Sequence, residues 1–256
     1  MSLLETKMVA KPWGREVLPA PFVAPPGEKI GEVWFEPPPG LDRLLVKYLF
    51  TSEKLSVQNH PGGPQGKEEC WLVVAAEPGA TLGVGFREPI SADAMRAAAL
   101  DGSIEGLLVW HPVKPGDFFY IPAGTVHAIG AGVSLIEVQQ NNDVTYRLYD
   151  YGRPRELHLD AGIAVALGQP HDPALHRVYP DHGTVTLVEG PLFRLDQLDG
   201  VADAALTARY RGPLLVIPRE GEALVAGEAV KPGECAAAAS IGEIEVHGVA
   251  LIAQPC

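Results

Sequence analysis

Apolar positions along this chain fall into short runs separated by Pro and Gly, a punctuation suited to β-strands rather than to long helices. The runs Leu44–Phe50, Leu55–His60, Cys70–Ala75, Thr81–Phe86, Asp117–Ile121 and Val133–Gln139 each predict a strand. Only Ser91–Leu100 reads firmly as a helix, with Ser91 placed to cap the first turn and an Ala-rich body behind it. A weaker helical pattern covers Asp160–Leu167. Strands do not alternate with helices, and no Gly-rich phosphate loop follows a strand, which removes the nucleotide-binding α/β folds. The expectation is a mainly β protein, a barrel or a sandwich, with few short helices.

Composition sharpens this reading. Gly (28) and Pro (24) together make up about a fifth of the 256 residues, as many turns require. A five-residue string also recurs: Val113-Lys-Pro-Gly-Asp117 returns as Val230-Lys-Pro-Gly-Glu234, which suggests two related β units. At the same offset His127 becomes Ile244, so the first unit is expected to carry chemistry and the second to be structural. The net charge of −12 would repel a phosphate backbone, which argues against nucleic acid as a partner. No apolar run is long enough to span a bilayer and the N-terminus lacks the apolar core of a signal peptide, so a cytoplasmic protein without membrane association is expected. Three cysteines, Cys70, Cys235 and Cys256, show neither CxxC spacing nor a disulfide framework.

The candidate chemistry begins at Gln58-Asn59-His60. Residues two apart on a strand share a face, so Gln58 and His60 present an amide and an imidazole together. The turn-rich Pro61–Gly66 allows a return that sets Glu69 across from His60, and alternation sends Glu68 and Cys70 to the opposite face. Pro122 and Gly124 form a tight turn that presents His127 at the start of the next strand. Two imidazoles and two oxygen donors without a thiolate make a plausible four-ligand site for a borderline divalent metal.

Gly116 to His127 fits every fixed position of the second metal motif of the cupin barrels, and Gln58, His60 and Glu69 follow the first, with Gln58 where a His is usual. That Gln, followed by Lys67-Glu-Glu69-Cys-Trp71, resembles the type I phosphomannose isomerases, particularly their short bacterial forms. The likeness extends collinearly over Lys11-Pro-Trp-Gly14, Ile30-Gly-Glu-Val-Trp34, Leu45-Val-Lys47, Leu55–Pro61, Pro122–Ala128 and Glu137–Tyr151, and becomes faint after Leu157–Asp160. The resemblance implies a cupin (jelly-roll) barrel over residues 1–160, followed by a smaller, degenerate cupin-like unit over 161–256 without metal ligands. It also implies zinc, or another divalent metal, at Gln58, His60, Glu69 and His127, and a catalytic Arg147. Lys67 shares the face of Glu69 and is a further catalytic and substrate-binding candidate. Lys47, Lys67 and Arg147, with Arg153 beside them, are the cations available to hold a sugar phosphate.

The implied reaction is interconversion of mannose 6-phosphate and fructose 6-phosphate through an enediol. Lys67, Asp143 and a metal-held water remain open as the general base. The segment Pro61–Gly66 is much shorter than the corresponding family loop, and no inserted helical domain is evident. Two other readings of the same residues are a non-catalytic sugar-binding or regulatory cupin and a metal-dependent cupin dioxygenase. Oligomeric state is not legible.

Overall fold

The run Leu44-Leu-Val-Lys-Tyr-Leu-Phe50 is apolar at every position but one and buried throughout, the pattern of a strand covered on both faces. A computed structural model describing residues 2–63 and 66–256 shows what covers it. Pro64 and Gln65, part of the expected turn at Pro61–Gly66, lie outside the described residues. Leu44, Val46, Tyr48 and Phe50 point outward and pack on Leu187, Phe193, Leu215, Ile217 and Leu251 of the C-terminal part of the chain. Leu49 points the other way, into a core with Trp71, Val73, Leu82, Val84, Phe119 and Ile129.

The protein is mainly β, built of antiparallel sheets with short helices. One seven-stranded sheet holds, in order, His176–Val178, Asp117–Ile121, Glu69–Ala76, Val133–Gln140, Leu44–Phe50, Ile30–Phe35 and Thr6–Arg15. It faces a five-stranded sheet ordered Tyr146–Tyr149, Val57–Asn59, His127–Ile129, Thr81–Phe86 and Leu108–Pro112. The apolar core between these two sheets is the barrel interior. Helices Ala92–Asp101 and Leu159–Val165 cover the outer face of the five-stranded sheet, where Met95, Ala98 and Ala99 meet Val57, Phe86, Ala128 and Leu148. A second seven-stranded sheet, formed mainly by Val185–Pro255, packs on the barrel's other flank.

The two parts exchange strands. Ser2–Leu3 pairs with Ala236–Ala237 of the C-terminal sheet, and His176–Val178 pairs with Asp117–Phe119 of the barrel. A boundary at residue 160 therefore separates stretches of sequence, while each sheet borrows a strand from the other side of it.

All six expected strands are present, with ends shifted by at most two residues: Leu55–His60 shortens to Val57–Asn59, and Cys70–Ala75 lengthens to Glu69–Ala76. The expected helix begins at Ala92, with the Ser91 side chain accepting from the Ala94 N–H. The recurring pentapeptide is one turn built twice. In the first copy the Asp117 carboxylate accepts the Lys114 N–H at 2.7 Å; in the second Glu234 accepts the Lys231 N–H at 2.8 Å. Gly116 and Gly233 take φ of 89° and 90°, which an L side chain adopts only with strain.

A Cβ at Gly233 would also meet Pro21 Cγ at 2.3 Å, whereas one at Gly40, with φ of 87°, meets nothing within 4 Å. Gly40→Ala should cost about 1 kcal/mol from backbone strain alone, and Gly233→Ala about 2 kcal/mol or more. Urea unfolding of both variants checks this; equal losses would mean that Pro21 yields freely.

Candidate metal centre and active-site cavity

Cross-strand register brings the candidate residues together in two rows. In the five-stranded sheet Arg147, Gln58 and His127 are successive neighbours, all at one level of the ladder. In the facing sheet Trp34, Lys47, Glu137 and Trp71 form another row, and Glu69 lies two residues from Trp71 on the same face. His60 follows directly on the strand Val57–Asn59.

These rows close on a single point. One ligand atom from each of His60, Glu69 and His127 lies within 4.8 Å of the other two, and all three residues are buried. Glu69 Oε2 is 3.4 Å from His60 Nε2, and Glu69 Oε1 is 3.6 Å from His127 Nε2. Each imidazole is held from behind, Nδ1 of His60 on the Val144 carbonyl at 2.9 Å and Nδ1 of His127 on the Thr125 carbonyl at 2.8 Å. A carbonyl only accepts, so both Nδ1 atoms carry the proton and both Nε2 lone pairs face the common point. Burial pushes the His127 imidazole down to about 3, so it stays neutral at working pH despite the pull of Glu69. Burial alone would raise the Glu69 carboxyl, yet the Lys67 ammonium 3.0 Å away holds it well below the usual carboxylate range.

The donor set fits a metal ion. Glu69 Oε2 is buried and receives no hydrogen bond, although Lys67 Nζ stands 3.0 Å away as a charge partner. A buried anionic oxygen lacking a hydrogen bond, beside two inward lone pairs, is what a divalent cation satisfies. Gln58 is adjacent, its Nε2 3.4 Å from His127 Nε2 and its Oε1 accepting from Ser56 Oγ at 2.9 Å. Turning the amide over aims the oxygen at the histidines and lets Ser56 accept from Nε2, so this neighbourhood serves either orientation.

Of the triad, Glu69 lies on the wall of a cavity of about 400 Å³, together with Trp13, Lys47, Gln58, Lys67, Trp71, Asp143 and Arg147. Lys67 Nζ is also 3.3 Å from His60 Nε2. Lys47 is buried and paired with Glu137 at 3.1 Å, over the Trp34 ring at 4.6 Å, while Glu137 accepts the Trp71 indole N–H at 3.1 Å. Arg147 is half-buried and forms no ion pair with Asp143 or Asp150 among the described residues; its Nη1 donates to the Glu156 carbonyl at 3.3 Å. Arg153 does not join the wall. It is tied to Asp150 at 3.1 Å and to the Lys54 carbonyl. Sequence reasoning passed over Lys11, Glu32, Glu137, Arg155 and His158, all of which line the cavity. For Glu137 a signal existed, an acid inside the apolar run Val133–Gln140.

Two tests follow from this geometry. Lys47→Met leaves Glu137 charged and buried without its paired cation and with only the Trp71 N–H, so it should cost about 3–5 kcal/mol in urea unfolding, and adding Glu137→Gln should recover much of that loss. A cost under about 1 kcal/mol would mean that water reaches the pair. The second test concerns acid. His127 and Glu69 both bind protons less readily in the folded protein than in the unfolded chain, so stability present above the unfolded values is lost as pH falls. Between pH 7 and pH 5 the metal-free protein should lose more stability than its His127→Gln variant; parallel pH curves would remove His127 as a source.

No family model matches the chain. It is 40% identical over 186 residues to a mannose-6-phosphate isomerase of Streptococcus mutans, a stretch covering 65% of this chain and 58% of that protein. It is 38% identical over 210 residues to one of Bacillus subtilis, covering 74% of this chain and 65% of that protein. The crystal structure of mannose 6-phosphate isomerase from Bacillus subtilis superposes with a TM-score of 0.78 at 26% identity, over 98% of each chain. Over most of its length the chain is thus similar to mannose-6-phosphate isomerases, and it shares the fold of one of them. A zinc-bound mannose 6-phosphate isomerase shares the fold, with a TM-score of 0.71 and 16% identity over 99% of this chain and 98% of that one. By sequence the chain spans 58–65% of the length of these two curated family members. Among the described residues no helix is long and apolar enough to cross a membrane.

Proposed function

We propose that this chain is a metal-dependent aldose–ketose isomerase that interconverts mannose 6-phosphate and fructose 6-phosphate, with zinc held by Gln58, His60, Glu69 and His127. The observation that carries the reading is the convergence of two tautomer-locked imidazoles on a carboxylate, Glu69, that itself lines a cavity with Gln58, Lys67 and Arg147. Zinc rests on the donor set and on the zinc of a relative with the same fold. Residues 1–160 would carry the site and 161–256 would support it without ligands. Sugar phosphates are charged and cannot cross a lipid bilayer unaided, so the cytoplasm is the compartment proposed.

When bound, the metal supplies Lewis acidity toward the negative charge that develops on the substrate oxygens. The protein's own groups do the rest. Arg147 adds a fixed positive charge at the same level of the sheet as Gln58 and His127. Lys67, an ion-paired ammonium beside Glu69, donates to the oxygens of the reacting carbons, and Lys47 orients hydroxyls along the opposite wall. Trp13, Leu49, Leu55, Trp71 and Ile129 supply the apolar surface that limits water around the reacting carbons. The proton removed alpha to the carbonyl goes to a carboxylate: Glu32, Glu69 and Glu137 are each held by a lysine, whereas Asp143 has no ion pair among the described residues. Asp143 is therefore the acceptor in this reading.

Metal-loaded protein incubated with mannose 6-phosphate should produce fructose 6-phosphate. Absence of turnover at full metal occupancy would overturn the isomerase reading in favour of a sugar-binding cupin.

A further inference from the structure

A second cavity of about 390 Å³ lies where the segment Pro19–Phe22 and the outer face of the barrel sheet meet the C-terminal sheet. It shares no lining residue with the metal cavity. The two use opposite faces of the same strands: Lys47, Leu49 and Glu137 line the first, and Tyr48, Phe50, Ser134 and Ile136 line the second. Its volume falls in the range of small-ligand sites, about 300–1,000 Å³.

Most of the wall is apolar. The Phe22 ring centre is 4.9 Å from that of Tyr48 and 5.3 Å from that of Phe50, and Val74, Ile136 and Val249 continue the surface. Two polar groups interrupt it. Ser134 is 2% exposed and sits between Phe50 and Ala75 on a face whose next outward residues, Ile136 and Val138, are apolar; its hydroxyl has no hydrogen-bond partner among the described residues. The second group is Arg219, half-buried and held from behind. Fully buried Gln197 donates from Nε2 to the Pro180 carbonyl at 3.2 Å and the Gly183 carbonyl at 2.8 Å, which turns its Oε1 onto Arg219 Nη1. Arg219 Nε is enclosed without an acceptor, and Nη2 has none either among the described residues. Burial depresses this guanidinium, and the nearby acids Asp181 and Glu220 are exposed and form no ion pair with it. His182, also on the rim, lies 3.7 Å from Glu220 and from Asp199.

We propose, independently of the isomerase reading, that this cavity binds a small organic monocarboxylate with a flat apolar body, its carboxylate on the Nε–Nη2 edge of Arg219 and its body among Phe22, Tyr48 and Phe50. A buried N–H without an acceptor is costly, and a carboxylate set along that edge supplies acceptors to both nitrogens at once. Gln197 fixes the guanidinium plane before any ligand arrives, so little freedom is lost on binding. The charge of the ligand is set by the rim: Asp181 and Glu220 repel a second negative charge, which disfavours a phosphate ester. Three aromatic rings on one wall favour a ring that can pack edge-on or offset against them, and the Ser134 hydroxyl can donate to a ligand oxygen.

The probe is phenylacetate, titrated into metal-loaded protein by calorimetry, with 2-phenylethanol as its uncharged analogue. One phenylacetate should bind per chain, about tenfold or more tightly than 2-phenylethanol. Arg219→Met should weaken phenylacetate about tenfold or more while leaving 2-phenylethanol and the metal content unchanged, and Ser134→Ala should weaken phenylacetate by a smaller factor. Absence of saturable binding, equal affinity for the two compounds, or a phenylacetate affinity that Arg219→Met does not change overturns the proposal. Displacement of phenylacetate by mannose 6-phosphate would put the compound in the metal cavity and overturns it too. If Arg219→Met does not fold, Val74→Trp decides, since its indole fills the cavity from the wall: phenylacetate affinity equal to that of wild type there overturns the proposal.

Discussion

Arg147→Ala should leave the protein folded and its metal content intact while lowering turnover of mannose 6-phosphate by about 10²–10³-fold, the 3–4 kcal/mol typical of losing one positioned donor near developing charge. Arg147 is outside the donor set, and among the described residues it has no ion pair whose loss would unbalance the core. A merely structural arginine in this half-buried position would show the reverse, near-normal turnover with a lowered melting temperature. The structure has already weakened that alternative. Asp150, one of the two acids near Arg147 in sequence, is taken by Arg153 and Arg155. Turnover and melting of this one variant, measured together, separate the roles, and unchanged turnover would remove Arg147 from the mechanism.

The second large effect is expected at His60. Its imidazole supplies one of two inward nitrogens and is 1% exposed, so His60→Ala should take metal content from near one per chain toward zero and abolish turnover. Because the ion binds the folded state, added zinc should raise the melting temperature of wild type; at a thousandfold excess over Kd the stabilisation is about 4 kcal/mol. His60→Ala should lose that increment. His111→Ala, remote from the triad in the strand Leu108–Pro112, should keep it. Equal metal content in wild type and His60→Ala would dismiss the centre.

Much of the site was legible because strand alternation is a strict rule. Knowing that Gln58 and His60 share a face, and that Glu69 faces away from Glu68 and Cys70, is enough to assemble the group once a barrel is assumed. In the structure Glu68 bonds to Tyr120 and Cys70 packs on the outer face, as alternation demands. The six strands were legible for the same reason, since Pro and Gly mark their ends. What escaped were residues whose place depends on partners far along the chain. Lys11, Glu32 and Glu137 reach the cavity through the register of four neighbouring strands, which no local pattern encodes. Arg155 was hidden by its neighbour: Arg153 and Arg155 are alike in sequence, and only the path of the turn after Tyr149 sends one to the cavity and the other to Lys54. The exchange of strands across residue 160 was equally invisible, because two- and three-residue strands carry no periodicity.

That exchange has a consequence for synthesis. As the chain leaves the ribosome, residues 2–3 emerge long before their partners at 236–237. Residues 176–178, which complete the edge of the barrel sheet beside Asp117–Phe119, likewise follow well after the metal donors have been made. A nascent barrel stalled near residue 160 would therefore carry all four proposed donors with one sheet edge bare and its first strand unpaired. Stalled chains of that length should be more open to proteolysis at both places than chains released whole, and binding of the ion during translation would act on a scaffold whose rim is still unfinished.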